Sequence, residues 1–544
     1  MSLDTQPRPP LHGQRFDVAV IGGGINGVAI ARECARNGRS TLLVEQHDFA
    51  AGTTSRSTRL IHGGLRYLEH GEIGLVRESV RERRRLLEQE SHLVRPLNFL
   101  LALGPQAQRS ALEVRFGLWL YRRFAAARPR NRGAAGAIAD LERLLDSGER
   151  WRIFNYEDAQ CEFPERLVAE WLTEATHAGV EARNHTQVLE IEVSNGQARG
   201  LRLRDQLTGR ESRVQAGWIF NASGPWADRV ARMAGLTSSR MIGGVRGAHL
   251  VLPKFHGMPD AAIYVEALDG RPIFVIPWND QVLLGTTEVP DRGDPASVQP
   301  SGEEIEYLLE SLRRRFPSAN LAAEQIRYAY AGVRPLPFVE DESLAAITRR
   351  HLLHDHAEDG VNQMISVIGG KLTTAASLAR ECARKIGLQV EEPRATALIA
   401  DGGSFEALTQ QWVANTAAQG AISAEAARAI AAWHGPSRSA VVQLAASDAR
   451  LRQPICDNTC HIVAEAVNAL TSEHAMTLSD VLLRRVPVAL DGFWSEECSA
   501  PAAQRIGLAV GWSEMRIGAE RETFEAERAA FLQKPVVTAA PARR

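Results

Sequence analysis

A glycine-rich turn near the start of the chain restricts the fold more than any other feature. Residues 17–21 are an apolar stretch typical of a buried strand, and the sequence GGGING follows directly at positions 22–27. A helical stretch over residues 28–36 and a second apolar strand over residues 41–44 come next. Strand, glycine turn, helix and strand in this order predict a fold that binds a dinucleotide.

Each part of this turn has a separate physical purpose. Gly22 permits the tight turn, Gly24 allows the backbone to approach a pyrophosphate, and Gly27 allows the helix to pack closely on the strand. The N-terminus of the helix offers N–H groups and a positive dipole to the phosphates. Glu45 follows the second strand, roughly twenty residues beyond the glycines, where a carboxylate can accept hydrogen bonds from a ribose. An ordinary glycine turn requires no acid at this distance, so the spacing favours dinucleotide binding.

The length and composition of the chain narrow the alternatives further. A chain of 544 residues is too long for a single core, so we expect at least two structural units. The formal net charge of −2 gives no electrostatic reason to bind nucleic acid. The six cysteines form no disulfide pattern, and no apolar run reaches about 18 residues. We therefore expect a cytoplasmic protein, either free or bound to the membrane surface from that side.

Two later segments favour FAD over a nicotinamide cofactor. Each ends an apolar strand in a glycine-containing turn, one at residues 221–226 and the other at residues 368–374. An extended FAD needs several separated backbone contacts, for its adenine, its pyrophosphate and its isoalloxazine ring. A helix that starts after the second turn directs its positive end towards a reduced flavin. The alternative, two ordinary loops, is less compatible with their occurrence in one chain with the glycine fingerprint.

The pattern of elements predicts an α/β fold followed by a helical region. We expect a Rossmann-like FAD-binding domain interleaved with a β-rich substrate domain. Beyond residue 401 the sequence is alanine-rich and almost wholly helical, which predicts an all-helical C-terminal domain. The predicted FAD domain covers mainly residues 15–95, 165–240 and 345–388, the substrate domain mainly 96–164 and 241–344, and the C-terminal domain 400–544.

Several motifs resemble those of FAD-dependent glycerol-3-phosphate dehydrogenases. They occur in the order found in that family, and helical sequence similar to the family's C-terminal cap follows them. The matching segments are residues 52–69, 221–226, 276–278, 285–287, 332–336, 346–349 and 369–374. The resemblance implies a fold like that of the amino-acid oxidases, with FAD as cofactor. It also implies oxidation of sn-glycerol 3-phosphate to dihydroxyacetone phosphate, with electrons passing to ubiquinone or another membrane quinone.

The resemblance further implies a substrate pocket, and all six of its residues are present in this chain. Several of them are cations, and the forked guanidinium groups of arginine can bind a phosphate dianion through paired hydrogen bonds. Arg66, Tyr67 and Arg349 are expected to bind the substrate, whereas His249, Arg334 and Lys371 are expected to take part in catalysis. Oxidation of a secondary alcohol needs a base for the hydroxyl proton while the hydride passes to flavin N5. Histidine has a suitable intrinsic pKa, and a water molecule polarised by an arginine is the alternative base.

The expected cofactor contacts are glycines, hydroxyl-bearing residues and a few larger side chains of the same motifs. Among them, His62 is expected to be either structural or adjacent to the cofactor. The complete set is Gly22, Gly24, Gly27, Glu45, Thr54, Ser55, Ser57, His62, Gly63, Gly64, Ser223, Gly224, Trp226, Gly369, Gly370, Leu372 and Thr373.

The chain departs from the family pattern at three places. Residues 163–164 are Phe-Pro where the family has Asp-Asp after a Tyr-x-Asp motif. Glu288 follows Gly-Thr-Thr where aspartate is usual, and Arg122 stands at another position where aspartate is common. We expect these changes to lie outside the substrate pocket and to mark a divergent member of the family.

Two further segments bear on partners and metals. Residues 114–124 combine aromatic and aliphatic side chains with arginines, which suits either an anionic membrane surface or a buried core helix. The resemblance to quinone-linked enzymes favours peripheral membrane contact, and a homodimer is left open. Cys456, Cys460 and His461 are close in sequence, but no second ligand pair has matching spacing, so we expect no metal site.

Two other functions are alternatives to the dehydrogenase. One is an oxidase that passes electrons to oxygen, acting on glycerol phosphate or on another small substrate. An amino-acid-type oxidase recognises a carboxylate and needs no cluster of three arginines, which argues against that variant. The other alternative is a non-catalytic flavin protein that senses redox state, for which we would expect the loss of His249, Arg334 or Lys371.

Overall fold

The protein consists of two β-sheets with flanking helices and a helical C-terminal region. The computed structural model describes residues 8–68, 71–105, 107–125, 134–236, 240–267, 269–340, 347–392 and 405–534, without the side chains of Arg66 and Ala134. The strands in these ranges are β1 (Arg15–Ile21), β2 (Thr41–Val44), β3 (Leu60–Ile61), β4 (Val94–Leu103), β5 (Arg152–Cys161), β6 (Val180–Arg183), β7 (Thr186–Ser194), β8 (Gln197–Asp205), β9 (Glu211–Asn221), β10 (Val245–Pro253), β11 (Ala262–Glu266), β12 (Pro272–Trp278), β13 (Gln281–Gly285), β14 (Val289–Pro290), β15 (Tyr328–Arg334), β16 (Leu352–Asp355) and β17 (Met364–Ile368).

The helices are distributed along the whole chain and become continuous towards its end. A π-helical segment, Val481–Arg485, directly continues the thirteenth helix. The α-helices of the described ranges are α1 (Ile25–Arg36), α2 (Ile73–Gln89), α3 (Ala111–Ala125), α4 (Ala134–Leu144), α5 (Pro164–His177), α6 (Ala227–Arg232), α7 (Gly302–Arg315), α8 (Ala375–Lys385), α9 (Phe405–Ala418), α10 (Ala424–Trp433), α11 (Arg438–Ser447), α12 (Val463–Ser472), α13 (Leu478–Asp480), α14 (Glu496–Val510) and α15 (Glu514–Phe531).

The first sheet brings the sequence motifs to one edge. Its strand order is β16-β17-β9-β1-β2-β6, and every neighbouring pair from β17 to β6 is parallel. The carboxyl ends of β17, β9, β1 and β2 therefore lie together, at the edge where open α/β sheets bind their ligands. The glycine turn, Glu45 and the two later glycine-containing turns all follow these strand ends.

Alternate residues of β1 are buried in different cores. Val18 and Val20 pack on the side of α1, α5 and α8, whereas Ala19 and Ile21 pack on the opposite side with β7, β8 and α6. Because both faces of a parallel sheet are covered, its strands are continuously apolar rather than alternating. This double burial explains why residues 17–21 are recognisable as a strand from sequence alone.

The second sheet positions the predicted base and a predicted arginine. Its order is β14-β10-β13-β12-β11-β4-β5-β3, and β15 pairs with the other side of β10. On β10, His249 lies opposite Gly285 of β13 and Tyr330 of β15. Arg334, the last residue of β15, lies opposite Val245 at the start of β10.

The C-terminal helices α9–α15 pack in one hydrophobic core with residues of the second sheet. After α15, Gln533 exchanges two backbone hydrogen bonds with Ala329 of β15, at 2.8 and 3.0 Å. The predicted architecture, a Rossmann-like part, a β-rich part and a helical C-terminal part, is confirmed. The exact domain limits stay a prediction, and residues 393–404, around the predicted start of the C-terminal domain, lie outside the described ranges.

Candidate functional site

A cavity of 640 Å³ opens at the carboxyl edge of the first sheet, and we call it the nucleotide cavity. The turns after β1, β9 and β17 and the end of β2 contribute to its wall. The predicted cofactor residues that line it are Gly22, Gly24, Glu45, Thr54, Ser55, Ser57, Ser223, Gly224, Trp226, Gly369, Gly370 and Leu372.

The glycine turn leaves bare backbone on this cavity. Gly22 has a φ of +108°, and a Cβ there would lie 2.6 Å from the carbonyl oxygen of Ala222. A Cβ on Gly27 would lie only 1.8 Å from the carbonyl oxygen of Gly22, so Gly27 serves the contact between helix and strand and does not line the cavity. The N-cap residue of α1, Gly24, supplies no capping side chain, and the Ile25 N–H donates to the Thr54 hydroxyl at 3.1 Å. Gly24, Ile25 and Asn26 line the cavity, so the N-terminal end of the helix borders it.

Glu45 is held in place at the end of β2 by two backbone hydrogen bonds. One carboxylate oxygen accepts from the Gly23 N–H at 2.7 Å, and the other accepts from the His47 N–H at 2.9 Å. A carboxylate has about four acceptor positions, so both oxygens can still accept from a sugar hydroxyl. The residue thus couples the end of β2 to the glycine turn.

A second cavity, of 760 Å³, adjoins the first, and we call it the basic cavity. The two share the turn at residues 369–372 as well as Thr53, Arg56 and Ser57. The predicted substrate and catalytic residues that line the basic cavity are Tyr67, His249, Arg334, Arg349 and Lys371. The side chain of Arg66, the sixth predicted residue, is not among those described.

His249 is a buried, neutral imidazole in the wall of the basic cavity. Burial, with smaller effects from the charges of Arg334 and Arg59, lowers its pKa to about 3. Its Nε2 lies 2.9 Å from the hydroxyl oxygen of Thr58, and its ring stacks on Tyr330 with centroids 5.0 Å apart. Its Nδ1 has no hydrogen-bond partner among the described residues. Gly285 makes room for the ring, because a Cβ there would lie 2.5 Å from His249 Cδ2.

Arg334 is fixed beside the histidine by neutral oxygen acceptors. Its guanidinium donates to the Thr287 carbonyl oxygen at 3.2 Å and to the Thr286 hydroxyl oxygen at 2.9 Å. A Cβ on Gly247 would lie 2.5 Å from Arg334 Nη2, so the glycine leaves space for the guanidinium. The two hydrogen bonds orient the guanidinium along the wall of the basic cavity. Because both acceptors are uncharged, neither contact neutralises its positive charge.

Glu288 corrects one expectation from the sequence. We expected this departure from the family pattern to lie outside the substrate pocket, but Glu288 lines the basic cavity. Its carboxylate accepts a hydrogen bond from Arg349 Nη2 at 3.0 Å, and both side chains are less than a fifth exposed. The sequence gives no indication of this ion pair, because 61 residues separate its partners and only the fold joins them.

Lys371 lies in the shared turn and has an unusual environment. Burial lowers its pKa to about 7, while Glu72 and Glu78 oppose that shift. Its Nζ has no hydrogen-bond partner among the described residues and lies 3.9 Å from the centre of the Tyr67 ring. Buried polar groups nearly always have partners, so an unpaired ammonium in a cavity wall is a place where a ligand can bind.

The remaining predicted cofactor residues lie on or behind the basic cavity. His62, Gly64 and Thr373 line it, and the His62 N–H donates to the Thr373 hydroxyl at 3.1 Å. Burial lowers the pKa of His62 to about 4. Gly63 lines neither cavity: a Cβ there would lie 2.3 Å from the hydroxyl oxygen of Tyr121, so this glycine permits packing.

Sequence reasoning missed three residues of the site. Thr58 contacts the imidazole of His249, Tyr330 stacks on it, and Arg56 lines both cavities. Thr58 and Arg56 belong to a quoted motif and could have been selected there. Tyr330 had no sequence signal, because its role follows from the pairing of β10 with β15.

The other two departures are structural. Pro164 occupies the first turn of α5, and Glu165 after it forms a buried ion pair with Arg59 at 2.9 Å. Arg122 donates to the Asn155 carbonyl oxygen at 2.8 Å. Neither Phe163 nor Arg122 lines the basic cavity. Near the cysteines that we considered as metal ligands, His461 stacks on Trp433 and bonds to Glu465.

Comparisons with known proteins identify the family of this chain. A sequence profile described as FAD dependent oxidoreductase matches residues 17–384, and one described as the C-terminal domain of alpha-glycerophosphate oxidase matches residues 364–517. A glycerol-3-phosphate dehydrogenase from Synechocystis sp. is 36% identical over 501 residues, which cover 89% of this chain and 90% of that protein. The chain belongs to the FAD-dependent glycerol-3-phosphate dehydrogenase family.

Other members of this family differ in their named substrates. A D-erythritol 1-phosphate dehydrogenase from Brucella abortus is 36% identical over 371 residues, which cover 67% of this chain and 72% of that protein. Among solved structures, the glycerol-3-phosphate dehydrogenase from Bacillus halodurans complexed with FAD has a TM-score of 0.75 at 23% identity, and 97% of each chain is covered. That similarity supports the fold over almost the whole chain.

FAD is the cofactor of this family, and the nucleotide cavity fits it. The bare glycine backbone and the end of α1 suit a pyrophosphate, and the fixed carboxylate of Glu45 suits a ribose. Because the two cavities share the turn at residues 369–372, the residues suited to FAD lie next to the cations of the basic cavity. None of the helices in the described ranges is both long and apolar enough to cross a membrane.

Proposed function

We propose that this protein oxidises sn-glycerol 3-phosphate to dihydroxyacetone phosphate and passes the electrons to a membrane quinone. The observation that carries the proposal is the basic cavity itself. Its lining includes Arg334, Arg349, Lys371 and the neutral His249, and it also includes the turn that borders the nucleotide cavity. A cationic site next to a redox cofactor suits a small phosphorylated alcohol better than an amino acid.

In this proposal Arg334 and Lys371, which the resemblance places among the catalytic residues, bind the phosphate together with Arg349. Arg334 offers a guanidinium that is already oriented by two hydrogen bonds, which lowers the entropic cost of binding. Lys371 offers an unpaired buried ammonium, and a dianion would favour its charged form. Arg349 first has to share its charge with Glu288, so we assign it a weaker part.

His249 accepts the proton of the substrate hydroxyl. Its low pKa keeps the ring neutral, and therefore able to accept a proton, over the physiological range. Part of the lowering of the His249 pKa comes from the charge of Arg334. A bound phosphate would offset that charge, so substrate binding should raise the pKa of His249 and make it a stronger base. When bound, FAD supplies the acceptor for the carbon-bound hydride at its N5 position.

The acceptor proposal is supported by α3. Val114, Leu118 and Tyr121 are buried, whereas Phe116 and Trp119 on the opposite face are 63% and 60% exposed. The helix thus packs into the core on one face and presents exposed aromatic side chains on the other. Phe116 also lines the basic cavity, so the exposed apolar surface continues to the mouth of the site. A quinone held in a membrane could approach the cavity along this face.

Anaerobic mixing of the holoenzyme with substrates tests the proposed reaction. We expect sn-glycerol 3-phosphate to bleach the flavin absorbance at about 450 nm, and glycerol at the same concentration to leave it unchanged. D-erythritol 1-phosphate is the informative competitor, because it shares the phosphate but extends the carbon chain. Faster bleaching by glycerol than by its phosphate would contradict the proposed role of the cations.

Reoxidation of the reduced enzyme separates a dehydrogenase from an oxidase. We expect a soluble ubiquinone analogue to restore the flavin absorbance much faster than dissolved oxygen does. The opposite order would favour the oxidase, and an enzyme never reduced by any phosphorylated polyol would favour a redox sensor.

Liposome sedimentation tests the membrane part of the proposal. Trp119→Glu should weaken binding to anionic vesicles, whereas Leu508→Glu, at a residue 51% exposed on α14, should not. Equal binding of the two variants would contradict the role assigned to α3.

A further inference from the structure

The C-terminal helical region borders the nucleotide cavity. Two separate segments contribute to the wall, the turn from α13 into the π-helix and the last turns of α15. The residues of these segments that line the cavity are Thr477, Ser479, Leu483, Arg484, Thr523, Glu527, Ala530 and Phe531. The glycine turn and Glu45 line the same cavity, so residues from the first strands and from the C-terminal helices together form its wall.

A buried ion cluster fixes the first of these segments. Asp48, three residues after Glu45, is 1% exposed and accepts two hydrogen bonds from Arg485, at 2.7 and 2.8 Å. Arg484 donates to the same carboxylate and to Glu527 of α15 at 2.7 Å. This cluster joins the C-terminal region to the segment after β2, and removal of one partner would leave an uncompensated buried charge.

The second segment contacts the residues that join the two cavities. The guanidinium carbon of Arg56 lies 5.2 Å from the centre of the Phe531 ring, and this ring lies 5.7 Å from that of Tyr330. On the first segment, the hydroxyl of Ser479 is buried and has no partner among the described residues. Ser479 itself lines the nucleotide cavity, so this segment places both a buried hydroxyl and the charged Arg484 at the wall.

We propose that the C-terminal helical domain is part of the FAD site, so that FAD binding and the docking of this domain stabilise each other. A ligand that contacts both parts only when they are docked must favour the docked state, and docking must raise its affinity by the same factor. The proposal concerns the cofactor alone and does not depend on which substrate the enzyme oxidises.

A pair of neighbouring residues on α15 provides a matched test. Ala530 and Ala529 are both exposed alanines, but only Ala530 lines the nucleotide cavity. Ala530→Trp should place an indole in the cavity and raise the dissociation constant of FAD for the apoprotein at least ten-fold. Ala529→Trp should leave it within two-fold of the unmodified protein. Quenching of flavin fluorescence on titration with apoprotein measures both constants without substrate.

Thermal unfolding of the apoproteins shows whether the introduced tryptophan disturbs folding rather than FAD binding. Equal midpoints for the apo forms show that the tryptophan disturbs binding rather than folding, and FAD should then raise the midpoint of Ala530→Trp less than that of Ala529→Trp. If Ala530→Trp lowers the apo midpoint, Thr523→Trp and its neighbour Glu522→Trp replace the pair, since only Thr523 lines the cavity. Equal FAD affinity within the pair that folds normally would overturn the proposal.

Discussion

The charge of Lys371 should control how substrate capture depends on pH. Burial moves its pKa from an ordinary value of 10.5 to about 7. A shift of that size corresponds to about 5 kcal/mol against the charged form in the free enzyme. Because a lysine loses its proton as pH rises through its pKa, the ammonium that binds the phosphate disappears above neutrality. From pH 6.5 to pH 8.5 the protonated fraction should fall about 25-fold.

We therefore expect kcat/KM of the unmodified enzyme to fall by about the same factor over this range, since this ratio reports ionisation in the free enzyme. Lys371→Met should lose a charge-assisted contact of about 2 kcal/mol, which is roughly 30-fold in kcat/KM at pH 6.5. The kcat/KM of Lys371→Met should then change little up to pH 8.5, so the kcat/KM values of the two enzymes should approach each other as the pH rises.

The assay is steady-state reduction of a quinone analogue at several pH values, with flavin content measured for each variant. Lys371→Arg is the matched control, because arginine keeps its charge over the whole range and should remove the decline above neutrality. A flat profile for the unmodified enzyme, or an equally steep decline in Lys371→Met, would refute the reasoning.

Three further substitutions test single contacts of the basic cavity. Arg334→Ala should lower kcat/KM about 100-fold through the loss of paired charge, with an unchanged flavin spectrum; normal turnover would exclude Arg334 from phosphate binding. His249→Asn should lower kcat about 100-fold or more and leave KM nearly constant, whereas retained kcat would favour a polarised water as the base. Glu288→Gln should release Arg349 from its ion pair and lower KM for the phosphorylated substrate about three-fold; an increase in KM would show that Glu288 itself contacts the substrate.

The parts of the fold that were predictable are those with a local physical signature. Strand β2 has the predicted limits, since it is a short and fully buried run. Helix α1 begins three residues earlier than predicted, directly after Gly24. Helix ends depend on the geometry of the turn, which composition does not reveal.

Other elements had no clear local pattern. Strand β5 mixes polar and apolar residues without a clear alternation, and some of the polar ones, such as Asp158 and Gln160, are buried where it pairs with β4. Strand β15 contains small alanine and glycine residues with low intrinsic strand preference, and its burial against β10 determines its conformation.

The same distinction holds for the candidate site. The residues of the glycine turns and of the basic cavity could be selected because their motifs are compact and chemically specific. The pairing of Arg349 with Glu288, the stacking of His249 on Tyr330 and the contact of Asp48 with the C-terminal region are products of the tertiary fold. Asp48 and Arg485 are 437 residues apart, and motif spacing does not predict contacts at such a separation.

A substrate labelled with deuterium at C2 tests the central claim most directly. In anaerobic single-turnover mixing with saturating sn-glycerol 3-phosphate, the flavin should be reduced several-fold more slowly with the labelled than with the unlabelled substrate. That result would show that the hydrogen on C2 is transferred as the flavin is reduced. An absorbance near 450 nm that stays at its oxidised value with either substrate would contradict the proposed reaction.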